Sequence, residues 1–517
     1  MDEKHESPIN KWLVALSMMT GSVMVGINGS IVNVALPHMR GNLGASVEEI
    51  AWVATGFILS SVLIMPLVAM LSSRFGRKRF IIFSSLLFAV SSMLCGLAWN
   101  LESLVFFRIF QGVGGGPLMP LAQAILRETF PPKEQAKAMG IYGFGVILGP
   151  ALAPTLGGWI TDNYSWPWVF YVSVPVGVIN ILLVTRFIED PPYLIREKGK
   201  IDFSGLFFLC AGLGALQIML QRGQQKDWFS SNLIIYLAII SCLGLILFVW
   251  RELTKDKPAV NLHLLKDLNF ASGTLLVGIL GLGLWGGLFI LPLYLQQLLH
   301  YPAYHSGLAV LPRSIAMAIA MPISGRLYNH TGPRWLVGMG LLVVAFSFFQ
   351  FSRLSLAAGF WDIFNIQLLQ GIGFGAIFVS LATAALSSID KPLMTAATGL
   401  YNVVQQVFGS IGIAMTATLL SWGEARNRSV LIQHITVFRD VTSEFLRTLS
   451  SYFFSRGLDQ VGADNRALKV LEGVVTRQST MIAYNTIYLV LGVIFLIAIP
   501  LVFFIKDARL ASFKKES

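Results

Sequence analysis

Residues 143–160, GFGVILGPALAPTLGGWI, decide the fold class of this chain. The segment is apolar almost throughout, yet it carries several helix-breaking residues, namely Gly145, Gly149, Gly157, Gly158, Pro150 and Pro154. A helix in water would not survive that density of glycine and proline. In a bilayer no water competes for the backbone hydrogen bonds, and small residues let neighbouring helices approach closely. The segment therefore predicts a tightly packed transmembrane helix.

The composition extends this prediction to the whole chain. Of 517 residues, 55% are hydrophobic and 13% are charged, and the mean hydropathy is +0.68. These values exclude an ordinary soluble protein and a disordered one. The three cysteines, Cys95, Cys210 and Cys242, all lie within apolar runs, which predicts packing residues, not a disulfide framework or a metal site.

Apolar runs long enough to span a bilayer core recur fourteen times. They cover about residues 12–35, 49–72, 79–98, 103–126, 136–160, 166–187, 203–222, 232–250, 269–294, 305–325, 334–353, 361–386, 394–421 and 481–505. An even number places both termini on one side. The loops on that side carry most of the Lys and Arg, so the positive-inside rule predicts cytoplasmic termini. The net charge of +11 is dispersed over these loops, which argues against a nucleic-acid surface.

Two pairs of similar segments indicate an internal duplication. Gln111-Gly112 in predicted helix 4 recurs as Gln370-Gly371 in helix 12, an offset of 259, and Gly76 after helix 2 recurs as Gly332 after helix 10, an offset of 256. We expect a six-helix bundle in residues 1–187, a linker with helices 7 and 8 in 188–268, a second six-helix bundle in 269–505 and a cytoplasmic tail in 506–517. Substrate is expected between the bundles.

Three motifs carry a resemblance to a known family. Helix 5 has Gly145, Gly149, Pro150, Gly157 and Gly158; helix 4 has Arg108, Gln111, Gly112 and Gly114; helix 1 has GINGSIVNVALP at 26–37. Together they resemble the fourteen-helix drug:proton antiporters of the major facilitator superfamily. The resemblance implies an all-α polytopic membrane protein with two six-helix bundles and two inserted helices. It also implies multidrug efflux by proton antiport across a bacterial inner membrane.

The loop after helix 2 resembles the superfamily's gating loop. The matching residues are Arg74, Gly76, Arg77 and Lys78. Ala69 replaces the family's first glycine, and Ser73 replaces an aspartate that helps latch the cytoplasmic side in one state. Two interpretations remain open, a gate without that charge and a set of basic residues that anchor a cytoplasmic turn.

Two arginines fall inside predicted helices. Arg108 lies well within helix 4, where an unpaired guanidinium is costly, so it is a functional candidate, with a structural hydrogen-bond donor as the alternative. The resemblance implies a part in proton or substrate handling. Arg313 in helix 10 lies nearer the outer face, and we expect its side chain to snorkel there.

Uncharged polar residues recur deep in other helices. The candidates for a substrate cavity are Asn28, Asn33, Gln111, Tyr142, Gln217, Gln370, Tyr401, Asn402 and Gln405. Amides in hydrocarbon need partners, so each residue taken alone is explained by helix packing. As a set they predict a polar, nearly uncharged cavity for hydrophobic or amphipathic compounds.

Residues 422–480 form a mostly polar segment between helices 13 and 14. Apolar residues at helical spacing, a break at Gly457 and a cap at Asp464 predict a helical hairpin outside the membrane. Two roles fit it equally, a lid over the outer mouth and a docking surface. The resemblance implies a periplasmic adaptor (membrane fusion protein) and an outer-membrane channel as partners.

The coupling chemistry is the open question. No acidic residue lies at the centre of a predicted helix, and Asn28 occupies the position where the family has an aspartate. An amide does not titrate. Three possibilities follow: coupling through Glu128 or Glu49 at a cavity edge, a substrate that carries the proton, or transport that is not proton-driven. The residues predict no cofactor and no metal site.

Other function classes fit less well. An intramembrane enzyme would need a nucleophile with a base, or a metal cluster, within the helices, but every histidine falls at a helix end or in a loop. Direct drive by ATP would need a phosphate-binding loop, and no such string is present. The remaining alternative is a transporter of one metabolite or lipid-like compound with different or no proton coupling.

Overall fold

The computed structural model describes residues 10–191, 202–255, 260–436 and 438–506, and within these ranges every regular element is helical. Fourteen helices there are long and apolar enough to span a membrane. In chain order, α1–α14 are Lys11–Leu43, Val47–Phe75, Arg77–Gly96, Leu101–Thr129, Pro132–Asn163, Trp168–Phe187, Phe203–Arg222, Asn232–Thr254, Leu268–Leu298, His305–Thr331, Pro333–Phe351, Phe360–Ser388, Lys391–Gln433 and Gln460–Phe504. The predicted number of helices is confirmed.

Side-chain caps account for several helix starts. Ser46 and Glu49 form a reciprocal capping box at the start of α2, and Asn100 and Ser103 do the same at the start of α4. Asp202 accepts a hydrogen bond from the backbone N–H of Gly205 and begins α7. Each cap satisfies backbone donors that the first helical turn leaves without a partner.

The helices form two six-helix bundles, α1–α6 and α9–α14, with α7 and α8 inserted between them. The two related loops have the same backbone conformation: Gly76 has φ +87° and ψ 146°, and Gly332 has φ +88° and ψ 158°. Only glycine adopts this region readily. The loops therefore support the duplication predicted from the sequence, while the exact domain boundaries stay a prediction.

The two bundles meet through α5 with α10, and through α13 with α2 and α4. We call the helix ends that include Lys11 and Phe504 the terminal side, and the opposite ends the hairpin side. Cross-bundle contacts on the terminal half include the Asn329 Nδ2 donor to the Lys133 carbonyl at 2.6 Å and the Asn402 Nδ2 donor to Gln123 Oε1 at 2.7 Å. The bundles are thus joined on the terminal half.

The inserted helices pack on the outside of this pair. Gly212 of α7 and Gly244 of α8 face each other so closely that a Cβ on either would lie within 2.8 Å of the other's backbone. Gln217 of α7 donates a hydrogen bond to Ser410 of α13 at 2.6 Å. Because α7 also packs on α2, it contacts both bundles.

The hairpin segment, residues 422–480, differs from the prediction in its helix bounds. α13 continues to Gln433 and α14 begins at Gln460, so both membrane helices extend into the segment, and a separate helix, Asp440–Ser455, lies between them. Gly457 ends this hairpin helix with φ +95°, as predicted. The predicted cap at Asp464 is wrong, because Asp459 caps α14 and Asp464 instead accepts a hydrogen bond from Ser450.

Candidate functional site

The glycines of the helix 5 motif pack on α1. A Cβ on Gly145 would lie 2.3 Å from the Met19 side chain, and one on Gly157 would lie 2.7 Å from Ile31. Gly149 is in tight contact with Ile27 and the Val23 carbonyl, and Pro150 contacts Gly26. Gly158 has no neighbour within 4 Å of its Cβ position. Three motif glycines therefore form one contact surface, and Gly158 is not part of it.

Arg108 lies at the centre of the first bundle, with only 1% of its surface exposed. Its guanidinium donates to Asn28 Oδ1 at 2.6 Å, to Gln111 Oε1 at 2.5 Å and to the Val53 carbonyl at 2.9 Å. The Asn28 amide in turn donates to Ser173 Oγ at 3.2 Å. We call Arg108, Asn28, Gln111 and the Val53 carbonyl the Arg108 centre. The centre joins α1, α2 and α4, and the hydrogen bond from Asn28 to Ser173 adds α6.

Aromatic rings cover the same guanidinium. Arg108 Cζ lies 4.5 Å from the ring centroid of Phe57 and 5.7 Å from that of Phe170. Among the described residues, the hydrogen-bond acceptors of Arg108 are all neutral, so the charge is held by dipoles and ring faces, not by a carboxylate. The centre can stabilise a positive charge in the bundle, but its acceptors do not exchange protons.

The other predicted cavity residues belong to separate contacts. Tyr142 and Ser22 share a hydrogen bond of 2.8 Å between α5 and α1. Asn402 and Gln217 make the helix-to-helix hydrogen bonds described above, each in a different place. Asn33 is exposed on α1, Gln405 is half-buried on α13, and the Tyr401 hydroxyl is buried with no hydrogen-bond partner among the described residues. A common lining for these residues stays a prediction.

Two carboxylates from other parts of the first bundle bind the loop after α2. Arg77, almost fully buried, forms an ion pair with Glu128 at the end of α4. Asp190, which follows α6, accepts a hydrogen bond from the backbone N–H of Lys78 at 2.9 Å. Arg74 is exposed. These acids fix the loop although Ser73 stands where the family has its aspartate.

The acids considered for coupling, Glu128 and Glu49, lie at helix ends, and so does Asp202. Glu128 forms an ion pair with Arg77. Glu49 is exposed and completes the cap of α2. Asp202 is buried, which raises its pKa, but hydrogen bonds from Lys255, Ser204 and the Gly205 backbone outweigh burial and hold the pKa well below its usual range. Asp202 is therefore ionised at neutral pH.

The sequence analysis missed one buried charged residue, Glu252, and placed another, Arg313, wrongly. Glu252, at the terminal-side end of α8, is fully buried and accepts a hydrogen bond from the Val260 N–H at 3.1 Å. Arg313 is only 2% exposed, so the expectation that it snorkels is wrong. Its Nη1 lies 3.4 Å from Gln370 Oε1, inside the second bundle. Their positions in the sequence did not predict their burial, because burial depends on whether the side chain faces the bundle interior or the outside.

No group of three or more His, Cys, Asp or Glu side chains that could hold a metal ion occurs among the residues that the structure describes. The arrangement instead holds buried positive charge within the bundles and small residues at the helix contacts. That is the chemistry of a transport pathway, with two arginine-centred bundles joined through glycine-rich helices.

Comparison with known proteins gives a family match. Residues 18–413 match the sequence profile of the Major Facilitator Superfamily. The chain is 33% identical over 495 residues to the multidrug export protein EmrB of Haemophilus influenzae, which covers 96% of this chain and 95% of that protein. It is 33% identical over 497 residues to the fatty acid resistance protein FarB of Neisseria gonorrhoeae, with 95% and 96% covered.

Solved structures match the fold. A double-tryptophan mutant of XylE superposes with a TM-score of 0.63 at 13% identity, covering 96% of both chains. The human organic anion transporter MFSD10 superposes with a TM-score of 0.58 at 14% identity, covering 94% of this chain and 99% of that one. At these identities the likeness concerns architecture alone.

Proposed function

The chain belongs to the major facilitator superfamily, and we propose that it is a secondary active exporter of hydrophobic or amphipathic organic compounds, a multidrug efflux protein that works by alternating access and proton antiport. It is a multi-pass membrane transporter, not an enzyme. The observation that carries the proposal is the near full-length identity to proteins named for multidrug export and for fatty acid resistance.

The geometry supports alternating access. The bundles are joined on the terminal half by α5 with α10 and by α13 with α4. Tight glycine contacts, such as Gly140 against the Met321 carbonyl and Gly325 against the Ala136 carbonyl, let these helices approach without interlocking side chains. We take this conformation as the one closed towards the terminal side, and rocking of one bundle against the other would open it.

Transport into proteoliposomes tests the function and its coupling together. Purified protein should move a fluorescent lipophilic cation against its gradient when a pH gradient is imposed, and should fail to do so when the gradient is collapsed. Empty liposomes and an Arg108→Gln protein serve as controls. A transport rate that does not depend on the pH gradient would contradict proton antiport but would not contradict the export function.

One observation favours a second candidate, transport of a specific compound with different or no proton coupling. The acceptors at the Arg108 centre are an asparagine, a glutamine and a backbone carbonyl, and none of them titrates. In that case Asn28 serves as an uncharged member of the substrate path. A growth-inhibition panel with the gene deleted and restored distinguishes the two, since a single affected compound would favour the specific transporter.

We propose a bacterial inner-membrane location with the terminal side, and so both termini, in the cytoplasm. The support is the excess of Lys and Arg in the loops on that side. Single cysteines at Asp390 on the terminal side and at Ser455 in the hairpin segment test it, in a background where the native cysteines are serine. A membrane-impermeant maleimide should label Ser455→Cys in intact cells and spare Asp390→Cys, and the reverse pattern would invert the topology.

We also propose that the hairpin segment docks a periplasmic adaptor, which in turn contacts an outer-membrane channel. Large apolar side chains are exposed there, namely Phe438 at 95%, Val441, Phe445, Tyr452 and Phe454. Apolar surface of this extent outside a membrane is typical of an interaction site. The lid remains the alternative, since the same segment connects α13 to α14 on the hairpin side.

The helix bounds define which residues a deletion that tests docking can remove. Because α13 ends at Gln433 and α14 begins at Gln460, residues 434–459 can be replaced by a short Gly-Ser linker without cutting either membrane helix. Adaptor co-purification should be lost while the variant still transports in proteoliposomes. Undiminished co-purification, with transport altered, would assign the segment to a lid.

A further inference from the structure

Arg313 lies in the second bundle among polar groups that lack partners. Gln367 has no hydrogen bond at either its Oε1 or its Nε2, and Gln370 has none at its Nε2, among the described residues. The Tyr488 hydroxyl, near enough to Arg313 to interact electrostatically, also lacks a partner there. All four side chains are at least 98% buried. We call these residues, Arg313, Gln367, Gln370 and Tyr488, the Arg313 centre.

The duplication allows a position-by-position comparison with the Arg108 centre. At the offset of 256, Arg313 corresponds to Phe57, the ring that covers Arg108. At the offset of 259, Gln367 corresponds to Arg108, and Gln370 corresponds to Gln111. Each bundle therefore has a buried arginine in this region, but in the second bundle it comes from α10 instead of the helix equivalent to α4.

The largest difference lies at the acceptor that helix 1 supplies in the first bundle. Asn28 of α1 accepts from Arg108, whereas α9, the helix equivalent to α1, has Gly287 on the side of Arg313. A Cβ placed on Gly287 would lie 3.7 Å from Arg313 Nη1, so this position is beside the guanidinium but presents no side chain to it. The contact that Arg313 does make, to Gln370, is long at 3.4 Å.

A buried guanidinium is stable when an acceptor of matching geometry compensates its charge. The planar fork of an arginine matches a carboxylate, and amide N–H and phenol O–H groups are further donors to the same anion. The Arg313 centre offers all three donor types at one place. Apolar rings, Phe348 and Phe351, lie next to Tyr488 with centroids 6.4 Å and 4.8 Å away and provide surface for a hydrocarbon chain.

We propose that the Arg313 centre binds the carboxylate of an amphipathic organic acid, and thus that organic acids are one substrate class of this exporter. The inference rests on the proposed export function and names a subsite for it. In the present conformation the centre is closed. Pro312 directly precedes Arg313 inside α10, and a proline removes one backbone hydrogen bond, so α10 has a place to bend when the bundles move.

Equilibrium binding in nanodiscs tests the proposal. The probes are radiolabelled laurate, a carboxylate amphiphile, and tetraphenylphosphonium, a lipophilic cation, with phosphatidylcholine as the only lipid. Arg313→Gln should weaken laurate binding by about tenfold or more, the loss expected for a charge-assisted hydrogen bond. Arg313→Lys should retain part of the laurate affinity. Arg353→Gln removes an exposed arginine of the same bundle and should leave laurate binding unchanged.

If Arg313→Gln does not fold, Tyr488→Phe removes one hydroxyl and should still weaken laurate binding several-fold relative to tetraphenylphosphonium. A wild-type protein that binds the cation but not laurate overturns the organic-acid site and leaves the export function intact. Equal laurate affinity in wild type and Arg313→Gln overturns it as well. A protein that binds neither probe contradicts both proposals. Competition by phosphatidylglycerol would reassign the centre to a lipid headgroup.

Discussion

The two bundles solve the same problem, a buried arginine, in different ways. In the first bundle, two side-chain amides, one carbonyl and two aromatic faces surround Arg108, and its Nε and Nη1 donors are paired at 2.5–2.9 Å. In the second bundle, within the described part of the chain, Arg313 has one long hydrogen bond, to Gln370, and several polar neighbours without partners. We call the Arg108 centre saturated, because its acceptors are paired with the arginine, and the Arg313 centre unsaturated, because several of its polar groups have no partner among the described residues. The saturated centre is suited to holding structure and charge, the unsaturated centre to receiving a ligand.

The largest expected effect comes from removing the arginine of the saturated centre. Arg108→Gln removes the arginine donor from Asn28 Oδ1 and Gln111 Oε1, and each buried acceptor left unpaired costs about 1–3 kcal/mol. We expect a lower melting temperature in nanodiscs and at least about tenfold slower transport per folded protein, since 1.4 kcal/mol corresponds to a factor of ten. Transport at the wild-type rate would show that the centre is only structural.

Asn28→Asp adds a carboxylate 2.6 Å from the Arg108 guanidinium at almost constant volume. The new group titrates within the bundle, so transport should become steeper in its dependence on an imposed pH gradient, by about threefold to tenfold for an interaction of about 1 kcal/mol. Rates are compared in proteoliposomes across a series of gradients. Asn42→Asp, at an exposed position near the end of the same helix, should behave like wild type.

Matched loop variants compare the two bundles outside their centres. Gly76→Ala and Gly332→Ala each force a side chain into a backbone region that only glycine adopts readily, at a cost of about 1–3 kcal/mol. Gly76→Ala adds a contact with Asp190, whose Oδ2 would lie 2.5 Å from the new Cβ. We expect it to lower the melting temperature further than Gly332→Ala. The opposite order would argue against a role for Asp190 in fixing the first loop.

The smallest effect on stability should come from placing an amide side chain beside Arg313 in the second bundle. Gly287→Asn places an amide of α9 beside Arg313, as Asn28 of α1 lies beside Arg108, and its Cβ would meet only ordinary contacts of 3.6–3.7 Å with Phe348 and Arg313. A new acceptor should change the free energy of unfolding by about 1 kcal/mol or less while reducing laurate binding. Gly286→Asn is the control on the adjacent, tighter position, where a Cβ lies 3.1 Å from the Gly412 carbonyl.

Much of the fold could be predicted from the sequence, because hydropathy and charge set the number of spanning helices and the matched offsets set their pairing. The packing role of Gly145, Gly149 and Gly157 also follows from residue type. The depth of Arg313 could not be predicted, since it depends on the rotation of α10 within its bundle. Nor could the Arg77–Glu128 ion pair, which joins residues 51 positions apart on different helices.

The extension of α13 and α14 beyond the membrane has a mechanical consequence. The α-helical part of α14, Gln460–Ile497, has 38 residues and is therefore about 57 Å long, nearly twice the thickness of a hydrocarbon core. The helix can be treated as a rigid rod that pivots at its Ile497 end, inside the second bundle. Each degree of tilt would then displace its Gln460 end by about 1 Å. A small rocking of the second bundle would thus become a larger displacement of the hairpin helix, Asp440–Ser455, where we propose that the adaptor docks.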